Sequence, residues 1–467
     1  MTTILWFRRD LRLVDHPALL AAAERGAVIP VFIRDFAMDD VGAAARMRWG
    51  MSVASLASQL EDLGSRLILR SGPALEVLKA LIAETGADAV YWSRLYDAPC
   101  VERDSRIKSA LKDSDIEAKF FGGHLMFEPW EVNTQQGGPY KVYTPFWKSV
   151  KDRNVAAPRS APTELAAPKG WPQGEDLADW GLEVAMRRGA DVLRKHAVVG
   201  EAAASQRLAT FVRDRMGGYK EDRDRVDMNG TSNLSENLTY GEISPFQCWA
   251  AGLRGQEAGK AGAEHFLKEL VWREFAYHLL HHFPDLSEQN FREGWDDFPW
   301  NEDERRAEVK AWKQGRTGVP FVDAAMREMY VTGKMHNRAR MIVASYLTKH
   351  LMCHWKIGIG WFADCLTDWD PASNAMGWQW VAGCGPDAAP YFRIFNPETQ
   401  AEKFDPMSAY RRKWIAEGQG NPPQTALDYF AAIPESWPMS PTNPYPKPVV
   451  ALDAGRKRAL AAYQARD

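Results

Sequence analysis

Two hydrophobic periods alternate along the first part of this chain. Five short runs rich in β-branched and aromatic residues occur at ILWF (4–7), VIPVFI (28–33), RLIL (66–69), AVYW (89–92) and EAKFF (117–121). Between them lie stretches with helical spacing: HPALLAAAERG, RMRWGMSVASLASQLEDLG, PALEVLKALIAETG and VERDSRIKSALKD. Strand and helix in strict turn predict a doubly wound α/β domain with a parallel sheet over residues 1–128. Asp15, His16 and Pro17 read as a helix start with proline in the first turn. No GxGxxG follows the first strand, so a dinucleotide site of the usual Rossmann kind is not indicated there.

The pattern then changes. QQGGPY (135–140) and AAPRSAPTELAAPKGWPQGED (156–176) are rich in Pro, Gly and Ala. They predict a long inter-domain connection over residues 129–199, running over the surface. From residue 200 to 467 the spacing is helical throughout, which predicts an all-α domain holding most of the 19 tryptophans. It closes on a helix-like end, PKPVVALDAGRKRALAAYQARD. A chain of 467 residues has room for two or three domains with ample core.

Composition narrows the function classes. A net charge of −3 argues against a uniformly basic coat for nucleic acid but leaves room for a local basic patch. The cysteines (Cys100, Cys248, Cys353, Cys365, Cys384) are scattered with no CxxC pair, so neither a disulfide framework nor a metal site is expected, and a reducing cytoplasm suits them. MTTILWFRRDLRL has no long apolar stretch to act as a secretory signal, and no run approaches the ~18 apolar residues of a membrane span.

Chemistry-bearing residues gather in the helical half. In LKELVWREFAYHLL (267–280), Glu269 and Trp272 share one helix face. In GKMHNRARMIVASYL (333–347), Asn337 and Met341 again share a face, although a methionine there also serves as core filler. LTDWDPASNAMGWQWVAG (366–383) sets Asp368 and Asp370 before Pro371, a pattern that also makes a helix cap, and places Trp378 and Trp380 shortly after Asn374. TSNLS (231–235), after Gly230, combines hydroxyls with a helix start, which makes either an anion seat or an ordinary cap.

Taken together, WFRRDLRLVDHPAL, PYKVYTPFW (139–147), GTSNLS, ELVWREF, TGVPFVDAAMREM, MHNRARM, NAMGWQWVAG and DAAPYFRIFNPETQAEKFD (387–405), in this order, resemble the DNA photolyase/cryptochrome family. Within it the chain looks most like the photolyases that repair cyclobutane pyrimidine dimers. The resemblance implies a U-shaped FAD in the helical domain. Tyr219 with Thr231, Ser232, Asn233, Leu234 and Ser235 would hold its diphosphate; Asn233 stands where the family more often has Arg. Asp368, Asp370 and Arg340 match groups near the flavin ring and ribose. Asn374 matches the side chain facing flavin N5, where plant cryptochromes place Asp.

The same resemblance makes Trp272 and Trp380 the walls that clasp a flipped-out dimer. Glu269, Asn337, Arg338 and Met341 would form the floor, with Glu269 sharing a proton as charge develops. Trp378, Trp355 and Trp300 would relay electrons between flavin and surface. Arg223, Arg338, Arg393 and Lys403 would contact DNA, alongside Trp272, Trp380 and the run Arg411, Arg412, Lys413. An antenna chromophore is implied between the domains. YDAPCVERD (96–104) lacks one well-known Asn-Glu folate pattern, and the reading favours methenyltetrahydrofolate in a somewhat different cleft over a deazaflavin. Damaged DNA is the implied partner of a monomer. Two alternatives stand beside the dimer photolyase: a cryptochrome-type blue-light photoreceptor, and a (6-4) photoproduct photolyase, whose pocket carries a His in the region where His336 adjoins Asn337.

Overall fold

A computed structural model describes residues 1–389 and 392–466. Pro390 and Tyr391 of the DAAPYFRIFNPETQAEKFD motif lie outside the described residues. The first strands are β1 (Thr2–Phe7), β2 (Ala27–Arg34), β3 (Ile68–Ser71), β4 (Ala89–Ser93) and β5 (Glu117–Phe121). They form one parallel sheet in the order β3-β2-β1-β4-β5, the doubly wound arrangement expected. Alternate residues of each strand enter different cores. Leu5, Phe7 and Phe32 pack on one face of the sheet; Ile4, Trp6 and Trp92 pack on the other. Burial on both faces explains why these strands read as continuous apolar runs.

One strand boundary differs from the sequence reading, and the expected helix start at Asp15–Pro17 is found with its cap resolved. β3 begins at Ile68 rather than Arg66, because its register against β2 pairs Val31 with Ile68 and runs on to Arg34 with Ser71. At the first helix, Pro17–Arg25, the cap is His16, whose Nδ1 accepts from the Leu19 N–H at 3.0 Å. Asp15 is instead turned back in the left-handed region (φ 55°). Its carboxylate accepts from Ser244 and from the Arg159 N–H, so it ties two distant segments to this turn.

Residues 129–199 lie along both halves. Tyr143–Val150 is a helix whose Tyr143, Phe146 and Trp147 are buried with residues of the helical half. Farther on, the Ala166 carbonyl accepts from Val28 N–H, and the Leu69 carbonyl accepts from Glu175 N–H, so the chain runs back along the sheet. Aromatic anchors hold this Pro- and Gly-rich stretch in place.

The helical half docks on the sheet through buried polar contacts. Arg48, on the helix Ala43–Asp62, is fully buried and pairs with Glu236 at 2.9 Å and Glu242 at 2.7 Å. Tyr240 donates its hydroxyl to the carbonyl of Ala45, on the same helix, at 3.0 Å. These contacts position the helices Ala263–His282, Asn337–Ser345 and Pro371–Ala382 around a common cavity.

Candidate active site

The cavity has a volume of about 920 Å³, within the range that accepts a cofactor-sized ligand. One end is formed by residues 231–235 and Tyr219. The short helix Ser235–Thr239 has no side chain capping its start, so its first N–H groups are left for a ligand. Asn233 lies in the left-handed region (φ 56°) just before it, and successive N–H groups in such a turn form an anion-binding concavity. The Asn233 amide is turned to Asn229 at 2.8 Å and accepts from the Thr231 hydroxyl at 3.1 Å. Asn233 therefore braces the loop and brings no charge to it. Lys334 lines the cavity on this side and pairs with Glu236 at 3.0 Å, while Arg207 and Arg215 hold the loop by donating to the Asn233 carbonyl at 2.6 Å and the Thr231 carbonyl at 3.1 Å.

The middle of the cavity is set by the start of the helix Pro371–Ala382. Asp370 caps it, accepting from Ser373 N–H at 2.7 Å, and its other oxygen accepts from the buried Tyr277 hydroxyl. Asp370 is thus a helix cap that also lines the cavity. Asp368 takes two contacts from Arg340, at 2.8 and 2.9 Å, while Arg340 is also held by the Met335 carbonyl at 2.8 Å. Asn374 is buried and donates its amide to the Asp370 carbonyl at 2.9 Å. That leaves its own carbonyl oxygen as the group free to accept from a ligand. An uncapped helix start at one end, with an arginine–aspartate pair and an amide acceptor farther in, suits a flavin dinucleotide.

The outer part carries Glu269, Trp272, Asn337 and Met341, all lining the same cavity. Trp272 stacks flat on Tyr143, with ring centroids 3.6 Å apart and an interplanar angle of 9°. Glu269 is bonded to Arg223, which also meets His265 at 2.8 Å. Burial pushes the Glu269 carboxyl above its ordinary range, and Arg223 opposes that rise. Arg223, expected as a DNA contact, is therefore also the partner of the expected proton-sharing group. Arg338, expected in the floor of the pocket, is not among the residues lining the cavity; it pairs with Asp224 and lies 4.7 Å over the Phe404 ring. Trp380 is half-buried near Arg393, whose guanidinium lies 5.8 Å from its ring, and donates its indole N–H to the Asp387 carbonyl at 2.9 Å.

Trp378 lines the cavity from its buried side. The helix Trp355–Cys365 packs against it at Gly358, where an added Cβ would come 2.0 Å from the indole. Trp355 begins that helix, three residues before Gly358. Trp355 is fully buried and Trp300 is 8% exposed. Their rings are bridged by His354, 5.4 Å from Trp355 and 5.3 Å from Trp300. Trp378 also meets Trp312 at 6.2 Å, a contact not anticipated from sequence.

Around the mouth, Lys403 is exposed on the helix Pro397–Phe404. The run 411–413 divides: Arg411 is tied to Asp405 at 2.9 Å, Arg412 is exposed, and Lys413 lines a side of the cavity. His336 lines the cavity too. It caps its helix through Nδ1, which accepts from Arg338 N–H at 3.1 Å, and its buried Nε2 has no partner. Burial pushes it down to about 4, so it is neutral near pH 7. Sequence reasoning passed over Lys334, which lines the cavity, and over Tyr143 and Tyr277, which hold Trp272 and Asp370 there. The quoted PYKVYTPFW and ELVWREF segments contain or adjoin the tyrosines, but no spacing rule assigns them a role.

All five cysteines are buried and unpaired, and among the described residues no helix is long and apolar enough to cross a membrane. Residues 3–168 match the family described as DNA photolyase, and residues 266–465 match the FAD binding domain of DNA photolyase. A deoxyribodipyrimidine photo-lyase of Agrobacterium fabrum is 45% identical over 99% of this chain and 97% of that one. Cryptochrome-2 of Arabidopsis thaliana is 34% identical over 97% of this chain and 77% of its own length. The crystal structure of a bacterial class III photolyase from Agrobacterium tumefaciens superposes with a TM-score of 0.91 at 43% identity, covering 100% of this chain and 97% of that one. With its sheet, its helical domain and this cavity, the chain belongs to the DNA photolyase/cryptochrome family.

Proposed function

We propose that this protein is a deoxyribodipyrimidine photolyase that splits cyclobutane pyrimidine dimers under light. The observation that carries the reading is a shared space: the candidate dimer contacts Glu269, Trp272, Asn337 and Met341 open into the same cavity as Asp368, Asp370 and Asn374. A dimer drawn into the outer part would lie against whatever the inner part holds. The residues at 219 and 231–235, with Arg340, Asp368, Asp370 and Asn374, would hold FAD. When bound, reduced and excited by light, FAD supplies the electron that opens the cyclobutane ring.

The protein's own groups do the rest. A dimer must leave the helical stack to enter, as photolyases are known to require of their substrates. Trp272 is braced from behind by Tyr143, so it offers a rigid face at small entropic cost. Trp380 would supply the second wall. Glu269, raised by burial, would share a proton with a pyrimidine carbonyl as negative charge develops there. Trp300, Trp355 and Trp378 would relay electrons to the cavity, Trp300 and Trp355 being linked through His354. Lys403, Arg393 and Arg412 would meet phosphates at the rim.

His336, half-buried at the cavity wall with its buried Nε2 unpartnered, favours a second reading, repair of (6-4) photoproducts. Competition binding among oligonucleotides carrying a cyclobutane dimer, a (6-4) photoproduct or no lesion decides between them. The dimer should win by at least about tenfold; preference for the (6-4) lesion would overturn our reading, and no preference would favour a signalling role. The antenna is proposed as a folate, to be checked by the absorption spectrum of the chromophore released on denaturation. A monomer is expected by size-exclusion chromatography with light scattering.

A further inference from the structure

Trp355 is fully buried, and its indole N–H donates to the side-chain oxygen of Asn290 at 2.8 Å. The nitrogen of the same amide donates to the carboxylate of Asp296 at 2.7 Å. An indole N–H only donates and an ionised carboxylate only accepts, so the two partners fix which end of the Asn290 amide is oxygen. Asn290 is half-buried and Asp296 is exposed. Indole, amide and carboxylate thus form a row from core to solvent.

The loop that carries Asn290 is clamped by Gln379, which stands between Trp378 and Trp380 in the chain. The buried Gln379 amide donates to the carbonyls of Leu286 and Gln289, at 2.6 and 2.8 Å, and accepts from the Phe291 N–H at 2.8 Å. One stretch, 286–291, therefore ties the helix of Trp378 to the indole of Trp355. The Trp300 indole N–H goes to the main-chain carbonyl of Thr348 at 2.9 Å. Trp355 and Trp300 both donate to amide oxygens and neither to a carboxylate.

We propose that Asn290 is a positioning residue that holds the Trp355 indole in the relay and keeps its N–H proton in place while its electron is away. This rests on the reading of Trp300, Trp355 and Trp378 as a relay. In the step, one electron passes from Trp355 to an oxidised Trp378, whose own electron has gone to the light-excited flavin. Trp378 is restored, and Trp355 is left as a protonated radical cation. Loss of the electron makes the indole N–H far more acidic, but an amide oxygen is too weak a base to take the proton. Asp296, which could take it, stands one hydrogen bond farther out. One electron from Trp300 then refills Trp355 with no proton to bring back. A carboxylate against the indole would take the proton and leave a neutral radical, which is refilled only as the proton returns.

The test uses the full-length, flavin-loaded protein and follows oxidised tryptophan by transient absorption after a flash, since protonated and neutral indole radicals differ in spectrum. Trp300→Phe ends the relay at Trp355, so the radical observed there is that of Trp355. It should stay protonated until it decays. Asn290→Asp combined with Asp296→Asn keeps the net charge and moves the carboxylate against the indole. In the Trp300→Phe background this exchange should give the neutral radical, formed more slowly in D2O than in H2O. With Trp300 present, it should slow net light-driven reduction about tenfold. Asn290→Leu removes the acceptor and should slow reduction by about the same factor without yielding a neutral radical. Affinity for dimer-containing DNA should not change in any of these, because neither Asn290 nor Asp296 lines the cavity. A neutral Trp355 radical with Asn290 intact would overturn the proposal, as would a radical that stays protonated in the exchanged pair, or parental reduction rates in Asn290→Leu. If the exchanged pair does not fold, the Trp300→Phe protein alone still decides whether the proton stays. Absence of any oxidised tryptophan in the parent protein would sink the relay reading instead, a result visible before a variant is made.

Discussion

In the α/β half, Arg103 pairs with Asp35 at 2.6 Å and Asp104 at 2.8 Å, and Arg8 completes the cluster with Asp104 at 2.7 Å. In the helical half, Arg340 pairs with Asp368 and Tyr277 donates to Asp370, but these acids also line an open cavity. The first cluster closes on itself. The second leaves one side of each group facing space. A buried charge whose partners are all protein groups serves the fold, because removing one partner strands the other. A buried charge that still faces a cavity is placed for something that arrives later. The contrast separates scaffold from site without reference to any relative.

The contrast can be attacked from the scaffold side. Arg48→Ala would leave Glu242 without a cation in the interface between the halves, while Glu236 would keep Lys334, and should cost about 3–5 kcal/mol of stability, read by chemical denaturation. Dimer affinity of the molecules that remain folded should not change. If it falls instead, the interface belongs to the site.

From the site side, the two tryptophans of the GWQW segment should part company. Trp380→Ala should cost about 1–3 kcal/mol of dimer affinity, the worth of a base-stacking surface. Trp378→Phe should leave affinity alone and slow light-driven reduction of the oxidised protein. Equal effects of both on binding would erase the distinction between wall and relay.

Lys349 is a scaffold group of an unusual kind. Its ammonium is fully buried, donates to the Ala382 carbonyl at 2.8 Å and lies 3.7 Å from the Phe392 ring. Burial pushes it down to about 7 from the ordinary lysine range. Between about pH 7 and 10 the unfolded chain binds the proton that the folded chain releases, so stability rises with pH across that window. The penalty is fully present below about pH 7. Lys349→Met should therefore stabilise the protein at pH 6 by about 2 kcal/mol, with the gain vanishing by about pH 10, as read by urea unfolding at both values. A gain independent of pH would mean that the amine is not neutralised on folding. The smallest effect is expected at the rim: Lys403→Ala should lower the slope of log affinity against log salt by about 1, equally for damaged and undamaged DNA.

Much of the scaffold was legible because its signals are local. Every strand of the sheet lies within a few residues of an apolar run, and parallel order follows from the helices between them. Glu269 with Trp272, and Asn337 with Met341, were legible as shared helix faces, and each pair does line the cavity. What could not be read are contacts between positions far apart in the chain. Arg223 meets Glu269 across 46 residues, and Arg338 meets Asp224 across 114. Nothing in local spacing announces such pairs. The stack of Tyr143 on Trp272 is hidden in the same way, and it lies in a stretch whose Pro- and Gly-rich composition suggested a connection running over the surface. Composition there concealed the helix Tyr143–Val150 and the aromatic residues that bury it against the helical half.

The most direct test is light-driven repair of a cyclobutane thymine dimer in a short oligonucleotide by the reduced, purified protein, followed by the return of thymine absorbance. Recovery under blue light and none in darkness, abolished in the Glu269→Ala, Trp272→Ala double variant with its flavin retained, is the predicted result. A flavin-loaded parent protein that leaves the dimer intact under light would contradict the account.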